Sequence, residues 1–326
     1  MPVASRHPQH AHALLMLLLA NLFWGLSFPT IKAVVLVHEK VLPGSSGWFV
    51  TAMTVSPRYV MAALVMALWQ VRRLGQTTRG ELRQGIELGL FASFGAILQN
   101  DGLQLISAST SAFLTQLYAV LIPAWVALRQ RRSPGARVWL CGVLVLAGVA
   151  ILGRFDWRTL SFGRGEWETL ACSVFYMGQI LCLERPEFTR NDPLRITFVM
   201  FATQSVIFSG LLLGTAPSSA AVWQLCTSLP WVSLTLALTL ACTLGAFVIM
   251  NTWQPKISAT EAGLIYCFEP IFGSLFALVL PALYSVWCGI GYANETATVG
   301  LLIGGGFITL ANVLLQSRPL PKAGAE

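Results

Sequence analysis

Apolar runs of about 20 residues recur along the whole sequence, and no other feature constrains the fold as strongly. Ten can be marked, at 11–33, 56–71, 85–106, 109–129, 137–153, 166–184, 195–214, 230–250, 259–280 and 297–316. Each is close to the length an α-helix needs to cross the hydrocarbon of a bilayer. A soluble core could not hide so many, because a soluble surface must be covered with polar groups, and only 11% of these residues are charged. Lipid offers no partners to backbone amides, so the spanning segments must be helices. The fold class read from this pattern is all-α integral membrane, with ten transmembrane helices. The second run is short if it begins at Pro57. Most connections are turn-like, for example Ser133-Pro134-Gly135 and Ala216-Pro217-Ser218-Ser219. Two are longer, 34–55 and 281–296, and are expected to hold short interfacial helices or flaps. The first run extends past Phe28 with no small-residue cleavage site, so it reads as a retained helix rather than a removed signal.

The net charge of +7 is topological rather than a nucleic-acid footprint, because the basic residues fall in short clusters between apolar runs. With the N-terminus placed in the cytoplasm, 15 of the 21 Lys and Arg residues face inward, including Arg72, Arg73, Arg79, Arg83, Arg129, Arg131, Arg132 and Arg137. That bias puts both termini inside and agrees with an even number of crossings.

Shifting the chain by 151 positions overlays Asn100 on Asn251, Ser107-Ala108-Ser109 on Ser258-Ala259-Thr260, and Trp24 on Phe175. Seven extra residues then bring Gly142…Gly148 onto Gly300…Gly306. The chain therefore reads as two five-helix repeats, 11–153 and 166–316. Five crossings are an odd number, so the second copy must lie inverted. The four-arginine loops after the second and fourth helices have counterparts without Lys or Arg, as inversion requires. Inverted repeats with a site near the midplane are a transporter architecture.

These residues resemble the EamA-like branch of the drug/metabolite transporter superfamily. The resemblance is carried by Leu22-Phe23-Trp24-Gly25-Leu26-Ser27-Phe28 with Lys32, by Pro57-Arg58-Tyr59, by Ser107-Ala108-Ser109-Thr110-Ser111-Ala112, and by Ser258-Ala259-Thr260-Glu261-Ala262 with Phe268-Glu269-Pro270. The Gly-rich patterns near Gly142 and Gly300 complete it. The first copy departs from the pattern, with Ala119 where Pro270 has its counterpart and Pro123 a turn later. The resemblance implies a two-repeat carrier of small metabolites, amino acids or drugs in a bacterial inner membrane, with no fixed substrate.

Polar groups inside spans are costly and face a bundle interior or a wet cavity. On that ground Trp24, Ser27, Gln116, Tyr118, Tyr176, Gln179 and Glu269 are candidates to line a substrate cavity. Glu269 could carry a coupling proton, or serve only to accept backbone N–H groups freed beside Pro270. Tyr118 is its counterpart in the first copy. Lys32 and Arg58 flank the first outer loop and could meet a substrate carboxylate or simply snorkel to the interface. Gln99, Asn100, Asp101 and Gln104 read as a solvated helix end. The glycines Gly142, Gly148, Gly300, Gly304, Gly305 and Gly306 read as close-packing positions. The seven cysteines read as small buried apolar residues, and the histidines as belonging to the N-terminal tail (His7, His10, His12) or a loop (His38).

No His–Asp pair, intramembrane His cluster, Gly-x-Ser-x-Gly or nucleotide-binding fingerprint appears, which argues against an enzyme. No filter-like sequence or acidic ring suggests a channel. The expected partners are a small-molecule substrate and the lipid bilayer, with no nucleic acid and no cofactor or metal. Proton-coupled export and uncoupled facilitation or exchange both remain open.

Overall fold

The computed structural model describes residues 8–106, 111, 114–131, 135–152 and 163–316. The expectations resting on Arg6, His7, Ser107–Thr110, Ala112, Arg132, Arg154, Arg158, Arg318 and Lys322 lie outside them. The described residues are helical with no strand. In chain order the helices are α1 (Pro8–Val41), α2 (Gly47–Trp69), α3 (Arg79–Leu105), α4 (Tyr118–Gln130), α5 (Ala136–Leu152), α6 (Arg164–Leu183), α7 (Pro193–Thr215), α8 (Ser219–Cys226), α9 (Leu229–Ala237), α10 (Ala246–Trp253), α11 (Ala259–Tyr266), α12 (Glu269–Ala277), α13 (Leu280–Cys288) and α14 (Val299–Gln316). Four stretches among the described residues are long and apolar enough to cross a membrane: Gln9–Val41, Gly47–Trp69, Pro193–Thr215 and Leu229–Lys256. A fifth is reached if α11–α12 and α13, bent by 55° from each other, count as one span. The chain is an integral membrane protein.

Several sequence expectations are corrected. The 34–55 connection is mostly helix. Nothing between Ala33 and Val41 breaks α1, and Ser46 caps α2 by accepting from the Phe49 amide at 3.3 Å. Only a five-residue turn remains, with Gly44 at φ 76°. Pro57 therefore sits inside α2 rather than at its start. His10 and His12 belong to α1 rather than to a tail, and His38 is fully buried in its last turns. Six of the seven cysteines are buried, as expected, but Cys226 is exposed on the unforeseen short helix α8. The run 259–280 is not continuous: it breaks at Cys267–Phe268, between α11 and α12. The run 109–129 breaks likewise at Gln116–Leu117. A π-helical turn, Leu238–Gly245, joins α9 to α10.

The packing seams are built by small residues. A Cβ on Gly148 would lie 2.6 Å from the Gly304 carbonyl oxygen, and one on Gly300 would lie 3.1 Å from that of Ile151, so α5 and α14 meet almost backbone to backbone. Gly306 faces open space and is not a packing position. The other large contacts pair α3 with α6 and α7, α2 with α7, and α1 with α10 and α12. The main apolar core runs through the bundle, and a smaller one gathers Val34, Val37, Phe49, Leu225 and Trp231 at the C-terminal end of α1.

Candidate functional site

Between these seams lies a cavity with about 780 Å³ of empty space, its open mouth included. It draws on α1, α2, α3, α6, the π-turn, α10 and both broken helices. From α1 come Trp24 and Ser27. The Trp24 indole stands edge-on to Phe247 and Tyr266, at 5.5 and 5.4 Å between ring centroids. The Ser27 hydroxyl is spent on its own helix, donating to the Trp24 carbonyl at 2.6 Å. From α6 come Tyr176 and Gln179, three residues apart and both on the cavity wall.

Arg58 sits far deeper than an interfacial snorkelling group. It is 6% exposed, lines the cavity, and donates to the Thr243 hydroxyl from Nη2 at 3.1 Å and from Nε at 3.3 Å. Thr243 belongs to the π-turn, a distortion that often re-aims groups at functional sites. No carboxylate lies within ion-pair distance of Arg58 among the described residues. Lys32 is exposed on α1 and is not part of the lining.

The two helix breaks bring Tyr118 and Glu269 to the cavity, each as the first residue of the helix following its break. At the second break the Ile271 and Phe272 amides donate to the Phe268 carbonyl at 3.0 and 3.1 Å, and Pro270 has no N–H to give. Gln116, at the first break, is 1% exposed and adjoins Glu269 rather than facing the open space; its Oε1 has no partner.

Two residues read as a solvated helix end line the cavity instead, Gln99 and Asn100. Gln99 Oε1 accepts from the Tyr176 hydroxyl at 2.8 Å, and its Nε2 reaches Thr115 Oγ1 at 3.4 Å. The Tyr59, Thr115 and Tyr266 side chains were also missed. The 151-residue shift carried a usable signal for the last two, since it overlays Thr115 on Tyr266. Asn251, the counterpart of Asn100, turns away and donates to Thr197 Oγ1 at 2.9 Å.

A cavity enclosed by helices of an integral membrane protein, mostly apolar but with an arginine and a carboxylate among its walls, is the kind of site that takes a small molecule. Residues 11–154 match the EamA-like transporter family, so the resemblance read from the motifs holds across the first half of the chain. A solved crystal structure, 15% identical, superposes with a TM-score of 0.67 over 94% of this chain and 96% of its own, so both halves of the chain share that structure's fold. No curated protein matches in sequence.

Proposed function

We propose that the protein is a carrier of small organic solutes, such as amino acids or drug-like compounds, and not an enzyme. It works by alternating access around this cavity, with ten crossings arranged as two inverted five-helix repeats, 11–153 and 166–316. To the five spans defined by length and hydropathy this reading adds α3, the broken helix ending in α4, α5, α6 and α14. The observation that carries it is the pair of breaks. Gln116-Leu117 and Cys267-Phe268 lie 151 residues apart, the same shift that overlays the two halves, and each delivers a polar side chain to one cavity. Interrupted helices at matching positions of two repeats are where carriers of this design hold their cargo. Trp24, Ser27, Tyr118, Tyr176 and Gln179 form the wall, Gln116 supports Glu269, Arg58 offers a contact to a carboxylate, and Glu269 is the candidate coupling group. The arginine distribution supports both termini in the cytoplasm, and the family resemblance a bacterial inner membrane.

The test is counterflow of amino acids and drug-like compounds in proteoliposomes, with and without a pH gradient. Glu269→Gln is expected to reduce gradient-driven uptake about tenfold or more while sparing exchange at equal pH. If the variant keeps its full gradient dependence, Glu269 is not the coupling group. If no solute shows counterflow, the carrier reading fails.

A further inference from the structure

At the N-terminal end of α1, well away from the cavity, His10 Nε2 lies 3.3 Å from Glu261 Oε1. Fourteen residues of helix separate His10 from Trp24 on the cavity wall, about 21 Å at 1.5 Å per residue. The material between is sealed: Ala13, Leu17 and Ala20 on α1, and Ile257, Ala262 and Leu264 around α11, are all buried.

Glu261 is 2% exposed and is already occupied on one oxygen. Its Oε2 accepts from the Ser258 amide at 3.0 Å and from the Ser258 hydroxyl at 2.8 Å, in the capping box that starts α11. Its Oε1 faces His10, whose other ring nitrogen is buried with no partner. The other titratable groups at this corner are His12, tilted against the Trp253 ring at 4.5 Å between centroids, and Lys256, whose Nζ lies 3.5 Å from the same ring. Both are taken up by the Trp253 face. The contact therefore ties the first helix of one half to the half-helix that leads into the Glu269 break in the other.

We propose that His10 and Glu261 form a proton-operated clasp that holds this end of the α1–α11 seam shut. Histidine is the side chain whose charge changes with protonation in the physiological range, and an imidazolium against the Glu261 carboxylate makes a charge-assisted bond stronger than the neutral contact. The sign follows: the clasp tightens in acid and slackens as pH rises. Resting on the carrier reading, it sets when the cavity opens toward the side on which α1 begins.

The test uses the full chain in nanodiscs and reads the seam directly, without transport. In a Cys226→Ser background, Ala13→Cys places a thiol in the seal one turn from His10, and maleimide labelling is timed at about pH 5.5 and about pH 8. Comparing each variant with its parent at the same pH cancels the intrinsic reactivity of the thiol. His10→Gln is expected to label about fivefold faster than the parent at the lower pH and at an equal rate at the higher. Glu261→Gln keeps an acceptor for the Ser258 amide and is expected to behave alike. If both variants label like the parent at the two pH values, or differ from it equally at both, the clasp does not exist. Either result leaves the counterflow test of the carrier untouched.

Discussion

Two seams flank the cavity, and they are held by different chemistry. On one side α3 is strapped to the second half along its length. Glu81 pairs with Arg195 at 2.7 Å and Glu87 with Arg185 at 2.5 Å near its start, and Asp101 pairs with Arg164 near its end. On the other side α1 packs against α10, α11 and α12, and among the described residues no Arg–carboxylate or Lys–carboxylate pair joins them. Its polar ties are His10 to Glu261, Thr30 Oγ1 to the Tyr284 hydroxyl at 2.7 Å, and Lys40 donating to the carbonyls of Cys288 and Gly289 at 3.2 and 2.8 Å. Both seams are close-packed through glycine. The difference is that parting the first must separate guanidinium–carboxylate pairs half sheltered from water, whereas parting the second breaks hydrogen bonds, the His10–Glu261 contact and apolar packing. On the proposed alternating-access reading, the first seam is the side that stays and the second the side that yields.

Glycine substitutions should break both seams equally and with the largest effect. A Cβ on Gly25 would lie 2.5 Å from Phe272 Cβ and 2.8 Å from the Gly273 amide nitrogen, and one on Gly102 would lie 2.7 Å from Thr169 Oγ1 and 3.0 Å from the Gly165 carbonyl. Neither backbone can step aside, so Gly25→Leu and Gly102→Leu should each lose about 3 kcal/mol, seen as depressed thermal unfolding in detergent. If Gly25→Leu were tolerated and Gly102→Leu were not, the α1 seam would be looser than its packing shows.

The charged straps should separate the two. Glu81→Ala removes a buried carboxylate that pairs with Arg195, accepts from the Asp192 amide at 3.0 Å and closes the Thr78 capping box. It should cost about 2–3 kcal/mol, with raised hydrogen exchange at the starts of α3 and α7. Exchange that rises instead in α1 would mean the seams are coupled and the contrast is false. Lys40→Met should be smallest, at about 0.5 kcal/mol, since this exposed ammonium trades its carbonyls for water; its effect should fall on α13 alone in the same exchange map.

Much of this arrangement could be read in advance. Spans follow from apolar length, and the shift of 151 residues that pairs the breaks rests on residues such as Asn100 and Asn251. Trp24, Tyr118, Tyr176, Gln179 and Glu269 reach the cavity because a polar or amphipathic side chain deep in a span has few other places to go. Arg58 was misplaced because Pro57 looked like a helix start, the usual role of proline in water, whereas a bundle can accommodate it mid-helix. Its depth depends on Thr243, 185 residues away, and no local pattern encodes that. Gln99 failed for the opposite reason: its neighbours Asp101 and Gln104 suggested solvent, while its partner is Tyr176 on another helix. The helix break in the first half had no local mark, since no proline stands at the position matching Pro270, so only the full packing reveals it.

The five-residue turn between α1 and α2 has a consequence of an electrical kind. So short a link ties the start of α2 to the end of α1, and Arg58 rides on α2. A guanidinium carried at that depth lies within the transmembrane voltage drop. Displaced through a tenth of a 100 mV potential, it would exchange about 0.2 kcal/mol with the field. If α2 moves during the proposed transport cycle, turnover would then depend on membrane voltage even with an uncharged cargo.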